Sequence, residues 1–479
     1  MGHVEGQSRY QRVMCAASLD ERIGAAHPVR VIDAFVETLD LRALGFSKVI
    51  AEQTGRPAYR PGDLAKLYLY GYTNQMRSSR RLAHEAERNL EVRWLINEVT
   101  PSFKTIADFR KDHAEAIVGI CHAFVRFCRG QSLMAGAVVA IDGTKIEAVA
   151  SRKKVITPKS LEKQLATVER KITEYLAAMD EADREEAAQP DRPVDVGAAL
   201  AALEERREGL RAQARALAKQ GLSQQVIGEP EARLMRTARH GHQVAYNAQT
   251  AVDAKHGLIA AFDLTSEGND HRLLLPMALQ AKEALEAETL TVVADSGYSN
   301  GEHGHQCQEA GVTAVVPRPR TVNPTGKQYF SREDFTYDSE RDVFACPAGQ
   351  TMAVIKVSRT ERKKTYATKA CAGCALKPQC TRTARRSVVR DFHEDDRQAM
   401  HERVLADPTW MKLRREVVEH PYGTMKWMMG YPRFLVRGGT KAKAELALTI
   451  MGYNLKRVIT ILGVPAILDA LTDPAAASA

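Results

Sequence analysis

From about residue 136 the apolar pattern switches from helical spacing to short β-branched runs, and the order of those runs restricts the fold more than any other property of the chain. VVAID, QVAYNAQTAVD and GLIAAFDLT come first; then a helical stretch, HRLLLPMALQAKEAL, the run TLTVVAD, a second helical stretch and TAVVP. The first and fourth runs each end in an aspartate, Asp142 and Asp295, with 152 residues between them. A layered α/β core in which the first and fourth strands are neighbours brings these two acids together.

A third acid, Glu419, lies in the helix-favouring stretch that begins near Asp407. Taken singly, an aspartate at a strand end is usually a turn former or a helix cap, and a glutamate on a polar helix is usually solvated. The company of Glu419 changes the reading. Arg415 is four residues before it and shares one helical face with it, and Lys426 follows seven residues later on that face. Cation, carboxylate and cation make a poor core pattern but suit a metal ligand flanked by phosphate clamps. Three carboxylates from two strand ends and one helix can hold two hard divalent cations for an in-line phosphoryl transfer, and the order of elements matches a ribonuclease-H-like fold.

Arg415, Glu419 and Lys426 stand as Arg-x3-Glu-x6-Lys, and the chain resembles the DDE transposases of bacterial insertion sequences whose third motif is Tyr-x2-Arg-x3-Glu-x6-Lys. The motif's tyrosine position is Lys412 here. YRPGDLAKLYLYGY, RSSRRLAHEAERNLEVRWL, KTIADFRKDH, YNAQTAVD and a CxxC followed by a third cysteine carry the likeness over residues 10 to 460. The resemblance implies that Asp142, Asp295 and Glu419 bind two Mg²⁺ or Mn²⁺ ions and that Arg415 and Lys426 contact DNA near the scissile phosphate. It also implies cleavage at the element's ends, strand transfer into double-stranded target DNA, and a homodimer in the DNA complex. The competing expectations are an inactive or domesticated DNA-binding regulator and a stand-alone ribonuclease-H-like nuclease.

At 479 residues the chain is longer than one hydrophobic core needs, so several modules are expected. Residues 1–130 read as a helical, DNA-binding domain of helix-turn-helix type, with Arg77, Arg80, Arg81, Lys104, Arg110 and Lys111 as its cations. The catalytic core is expected over 136–157, 223–319 and 393–465, followed by a tail, 466–479. Two insertions interrupt it. The first, 158–222, carries Leu161, Leu165, Val168 and Ile172, then Leu200, Leu203, Leu210 and Leu217, at heptad spacing about a proline-containing turn: an antiparallel helical hairpin.

The second insertion, 320–392, is basic and contains cysteines. The formal net charge is +9, yet between Lys356 and Arg390 eleven Lys or Arg face one acid, Glu361, a local net of +10. Lys363, Lys364, Arg385 and Arg386 in this strip are candidate DNA contacts, since such a strip binds phosphate through counterion release. Cys346, Cys371, Cys374 and Cys380 could supply four thiolates to a structural Zn²⁺, expected to fix the shape of a segment with few large apolar residues. Cys15, Cys121, Cys128 and Cys307 read as core residues. No apolar run of membrane-spanning length and no signal-like leader is present, so a cytoplasmic, nucleoid-associated protein is expected.

Overall fold

The computed structural model describes residues 18–50, 57–186, 196–237, 241–319, 329–428, 430 and 433–472. The chain forms two compact units, one of Met1–Leu133, Thr424–Tyr431 and Lys443–Ala479, the other of Met134–Gly423 and Pro432–Ala442. No helix among the described residues is long and apolar enough to cross a membrane.

In the first unit six helices follow one another: α1 (Pro28–Glu37), α2 (Pro61–Thr73), α3 (Ser79–Arg88), α4 (Leu90–Leu95), α5 (Phe103–Asp112) and α6 (Ala114–Gly130). Proline at the first position of α1 and of α2 suits a helix start, where the missing N–H would have no partner. Leu64, Leu67, Tyr68 and Tyr72 of α2 are all buried, as their helical spacing predicts. Two of the expected DNA-facing cations are not at the surface. Arg77 and Arg110 are buried: Arg110 Nη1 donates to the Tyr72 hydroxyl at 3.1 Å, and Arg77 Nη2 lies 3.8 Å from the fully buried Glu445 carboxylate. Arg80, Arg81, Lys104 and Lys111 remain exposed.

The second unit opens with β1 (Val138–Glu147), followed by β2 (Val155–Ile156), α7 (Pro158–Glu186), α8 (Val196–Lys219) and β3 (Gln225–Val226). β2 and β3 pair antiparallel where α7 begins and α8 ends, so the two helices run antiparallel. Ile156, Leu161, Val168, Ile172, Leu210 and Leu217 form their buried seam. The turn expected between them falls at 187–195, outside the described residues.

The chain then forms β4 (Arg233–Thr237), β5 (Gly241–Asp253), β6 (Ile259–Thr265), α9 (Leu274–Leu285), β7 (Leu290–Val293), α10 (Gly301–Glu309) and β8 (Val312–Val315). β1 pairs antiparallel with β5 and parallel with β7, β7 pairs parallel with β8, and β5 pairs antiparallel with β6 and with β4. Apart from β4, which the periodicity did not signal, the five expected strands stand in the order third, second, first, fourth, fifth. Apolar runs buried on both faces explain the central position of β1 and β7, where Val139, Ile141, Val292 and Val293 are wholly inaccessible.

A second sheet follows: β9 (Thr336–Asp338), β10 (Val343–Ala345), β11 (Thr351–Ser358), β12 (Lys363–Ala367) and, after the short α11 (Lys377–Cys380), β13 (Ser387–Asp391). The sequence reading treated this segment as poor in large apolar residues, but Phe335, Phe344, Met352, Tyr366 and Val388 give it a core of its own. The Phe344 and Tyr366 rings meet edge to face at 4.9 Å, and the Tyr337 and Tyr366 hydroxyls both donate to Asp342. Cys121, Cys128 and Cys307 are buried as expected; Cys15 is outside the described residues.

The chain closes with α12 (Glu394–Ala406), α13 (Thr409–Met428), α14 (Gly439–Leu462) and α15 (Val464–Thr472). The expected tail is therefore helical to Thr472, with Ile467 buried, and 473–479 lies outside the described residues.

Breaking a buried charge pair leaves its partner desolvated and uncompensated, at a cost of about 3–5 kcal/mol. Glu445→Ala is therefore expected to lower stability by about that amount, read as a shift of the denaturant midpoint of the first unit's helices.

Candidate active site

The register of the central strands decides where the two aspartates go. Ala140 of β1 pairs with Val293 of β7, so Asp142 and Asp295, each two residues further along parallel neighbours, remain in phase. Neighbouring strands lie roughly 4.8 Å apart, which makes the two carboxylates close neighbours. Asp142 does not end its strand as expected but lies inside β1, which runs on to Glu147 in register with β5. Its Oδ1 accepts from the Gly143 N–H, and Asp295 Oδ1, beyond the end of β7, accepts from the Gly297 N–H, both at 2.8 Å.

One guanidinium bridges them. Arg414 Nη2 on α13 is 2.9 Å from Asp142 Oδ1 and 3.4 Å from Asp295 Oδ2. Burial pushes the Asp142 carboxyl up to about 6, against the pull of Arg414 and the Gly143 N–H, while the charges of Asp295 and Asp270 push it further up. Arg414 Nε is buried without a hydrogen-bond partner, so the guanidinium fills the charge requirement of the carboxylates better than its own bonding requirement.

α13 is held a second time at Tyr422. Its buried hydroxyl donates to the Asp142 carbonyl at 2.5 Å and accepts from Thr250 Oγ1 at 2.9 Å, and Thr250 is the residue that pairs with Asp142 across β1 and β5. Glu419 lies between these two anchors, one turn before Tyr422, with its side chain exposed. Arg415 is also exposed. The helix thus carries Glu419 past the aspartates, although no contact with them is made among the described residues. Lys426 is seven residues further along α13, in the first compact unit.

A fourth acid adjoins the pair. Asp270 Oδ1 accepts from Asn247 Nδ2 at 2.7 Å and Gln249 Nε2 at 2.9 Å, and Lys145 Nζ lies 3.3 Å away. Asn247 and Gln249 are buried on β5 opposite Lys145 and Gly143. A β-carbon at Gly143 would meet Gln249 Nε2 and come within 3.0 Å of Asp270 Oδ1, so this close approach requires glycine. Sequence reasoning passes over Arg414, Tyr422, Lys145, Asn247 and Gln249. Asn247 and Gln249 carried a signal: two amides at alternate positions of a buried strand need polar partners.

Two hard carboxylates that already share one cationic nitrogen can hold a divalent cation in its place. The ligand atoms of Asp142, Asp295 and Glu419 do not all lie within 4.8 Å of one another. The cysteines are arranged differently. Cys346, Cys371, Cys374 and Cys380 line one cavity of about 20 Å³ together with Phe335 and Met352. No three of their sulfurs lie within 4.8 Å of one another. In the basic strip, Lys363 and Arg385 are exposed. Lys364 is paired with Asp342 at 2.6 Å, and Arg386 stacks over Phe335 and donates to the Phe330 carbonyl.

Two family models match the chain: Transposase domain (DUF772) over residues 17–112 and Transposase DDE domain over residues 345–459. The second spans Arg415, Glu419 and Lys426, whereas Asp142 and Asp295 lie outside it. No curated protein and no solved structure matches the chain.

If Arg414 and a divalent cation compete for the same carboxylates, Arg414→Met is expected to bind Mg²⁺ or Mn²⁺ at least about tenfold more tightly than the parent in calorimetric titration. Weaker binding in the variant would mean that the guanidinium holds the carboxylates in place rather than competing for them.

Proposed function

The chain is a DDE transposase of the insertion-sequence type, and we infer that it cuts DNA at its element's ends with Asp142, Asp295 and Glu419 as the metal-binding acids. DDE transposases are DNA-cleaving, strand-transferring enzymes that use divalent metal ions. The observation that carries the residue assignment is the pair of aspartates in phase on adjacent parallel strands, sharing the Arg414 guanidinium. The strand order third, second, first, fourth, fifth supports a ribonuclease-H-like core for this pair. On this reading the core is formed by 136–157, 223–319 and 393–465, with the hairpin 158–222 and the basic sheet 320–392 inserted into it.

Bound divalent metal supplies Lewis-acid stabilisation of the attacking and leaving oxygens. The chain's own part is to hold and orient. Asp142 and Asp295 offer oxygen ligands from rigid strands, and Glu419 completes the set from a helix that Tyr422 fastens to the Asp142 backbone. Arg414, once displaced, is a cation free to face substrate phosphate beside Arg415. Asp270, held by Lys145, Asn247 and Gln249, adds negative charge behind Asp142 and favours a cation there.

DNA affinity comes from exposed Lys363 and Arg385, with Lys364 and Arg386 chiefly shaping the sheet that carries them, and from Arg415 and Lys426. The zinc reading of Cys346, Cys371, Cys374 and Cys380 rests on their shared cavity. Two element ends handled together favour a homodimer on DNA, and the place of action is the nucleoid in the cytoplasm.

Asp142→Asn, Asp295→Asn and Glu419→Gln are each expected to reduce Mg²⁺-dependent cleavage and joining of labelled DNA bearing the gene's flanking sequences by about 10³-fold or more, with DNA binding retained. Cleavage at the parent rate by any of them would remove that residue from the site. Lys363→Ala with Arg385→Ala should weaken binding across sequences and reduce the salt slope by about 2.

A further inference from the structure

Away from both the aspartates and the cysteines, two imidazoles and a carboxylate converge where α10 lies against α12. We propose that His305, His393 and Asp396 bind one transition-metal ion of the zinc class, which staples α10 to α12.

The local sequence brings these helices close. Asn300 caps α10, its Oδ1 accepting from the His303 N–H at 3.3 Å. α10 presents Gly301 and Gly304 to α12: a β-carbon at Gly301 would run into the His393 carbonyl, and one at Gly304 would lie 2.9 Å from Met400 Cε. This approach carries His305 onto His393, the residue capping α12, with the rings 4.5 Å apart and tilted by 31°.

The donor atoms have the spacing a tetrahedral ion requires. His305 Nδ1 and His393 Nδ1 are each 3.3 Å from the same Asp396 oxygen, and the three residues' ligand atoms lie within 4.8 Å of one another. Tetrahedral bonds of about 2.0–2.1 Å separate ligand atoms by about 3.3 Å. The side chains of His393 and Asp396 are 20% and 24% exposed and that of His305 is 42% exposed, which leaves room for water at a fourth position. His305 Nε2 is 3.6 Å from Glu309 Oε1, the carboxylate-on-imidazole arrangement that orients a metal-bound histidine. Arg362 Nη2 lies 2.8 Å from His393 Nε2 and must surrender that bond when Nδ1 ligates, since Nε2 then carries the proton; its second arm, 2.5 Å from Glu302, keeps it in place.

Two imidazoles and one carboxylate suit Zn²⁺, Co²⁺ or Ni²⁺ rather than Mg²⁺, which prefers an all-oxygen shell. The ion would join three segments: α10, which follows Asp295; the exit of the inserted sheet at β13; and α12, which leads into α13 with Arg414 and Glu419. The site is independent of the catalytic assignment, because none of its ligands belongs to that set.

The test is titration of the full-length, EDTA-stripped protein with Co²⁺ in excess Mg²⁺, read by visible d–d absorption and by bound metal per chain. One equivalent of Co²⁺ bound without thiolate, in addition to any held by the cysteines, is expected in the parent and is retained in Cys371→Ala, whose spectrum carries no thiolate charge-transfer band. It should be lost in His305→Asn, His393→Asn and the near-isosteric Asp396→Asn. In the Cys371→Ala background Zn²⁺ should raise the Tm, and adding His305→Asn should abolish that rise, with the metal-free Tm of the double variant reporting its folding. Equal thiolate-free Co²⁺ uptake by the parent and all three variants, or uptake with a thiolate spectrum alone, would overturn the proposal and leave the trio a hydrogen-bonded cluster.

Discussion

Two carboxylates on neighbouring parallel strands repel each other, and much of the second unit is organised around the charge that offsets them. Asp142 and Asp295 are in phase because β1 and β7 pair in parallel, and the pairing is secure because both strands are apolar on both faces. Arg414 supplies the opposing charge. Burial nevertheless pushes Asp142 up to about 6, the signature of a site that still lacks positive charge. Asp270 adds to that demand from a cradle of two buried amides and a lysine.

α13 brings Arg414 to this pair, and its sequence contains a conflict. Pro421 stands inside the helix, where it has no N–H to donate and where a sequence reader would end the element. The helix continues because Tyr422, the next residue, is pinned to the Asp142 carbonyl and to Thr250. Tertiary contact thus overrides local propensity within one turn of Glu419.

The insertions are stabilised in different ways. The helical hairpin needs only its heptad seam, and each seam position could be named from the spacing of leucines and β-branched residues. The basic sheet was harder to read, because its buried core takes one residue from each of four strands, Phe344, Met352, Tyr366 and Val388, and Phe335 from the loop before the sheet, too few in any one strand for a period to show. Its positive charge is also unevenly available: Arg390 is buried over Tyr337 and Lys364 is tied to Asp342, while Lys363 and Arg385 face solvent.

The sequence by itself determined the order of the five core strands, the placing of one aspartate on the first and one just after the fourth, the hairpin seam and the burial of Leu64, Leu67, Tyr68 and Tyr72. All of these follow from local periodicity, which reports how a segment meets its immediate surroundings. Only the tertiary structure decided that Arg414, not Arg415, lies on the aspartates, since adjacent helical residues point about 100° apart and the packing of α13 chooses between them. It likewise decided that Arg77 and Arg110 turn inward onto Glu445 and Tyr72, and that His305 meets His393 and Asp396 across 88 residues of chain. Charge, unlike hydrophobicity, has no period that gives away its partner: which cation meets which acid is fixed by the packing of elements distant in sequence.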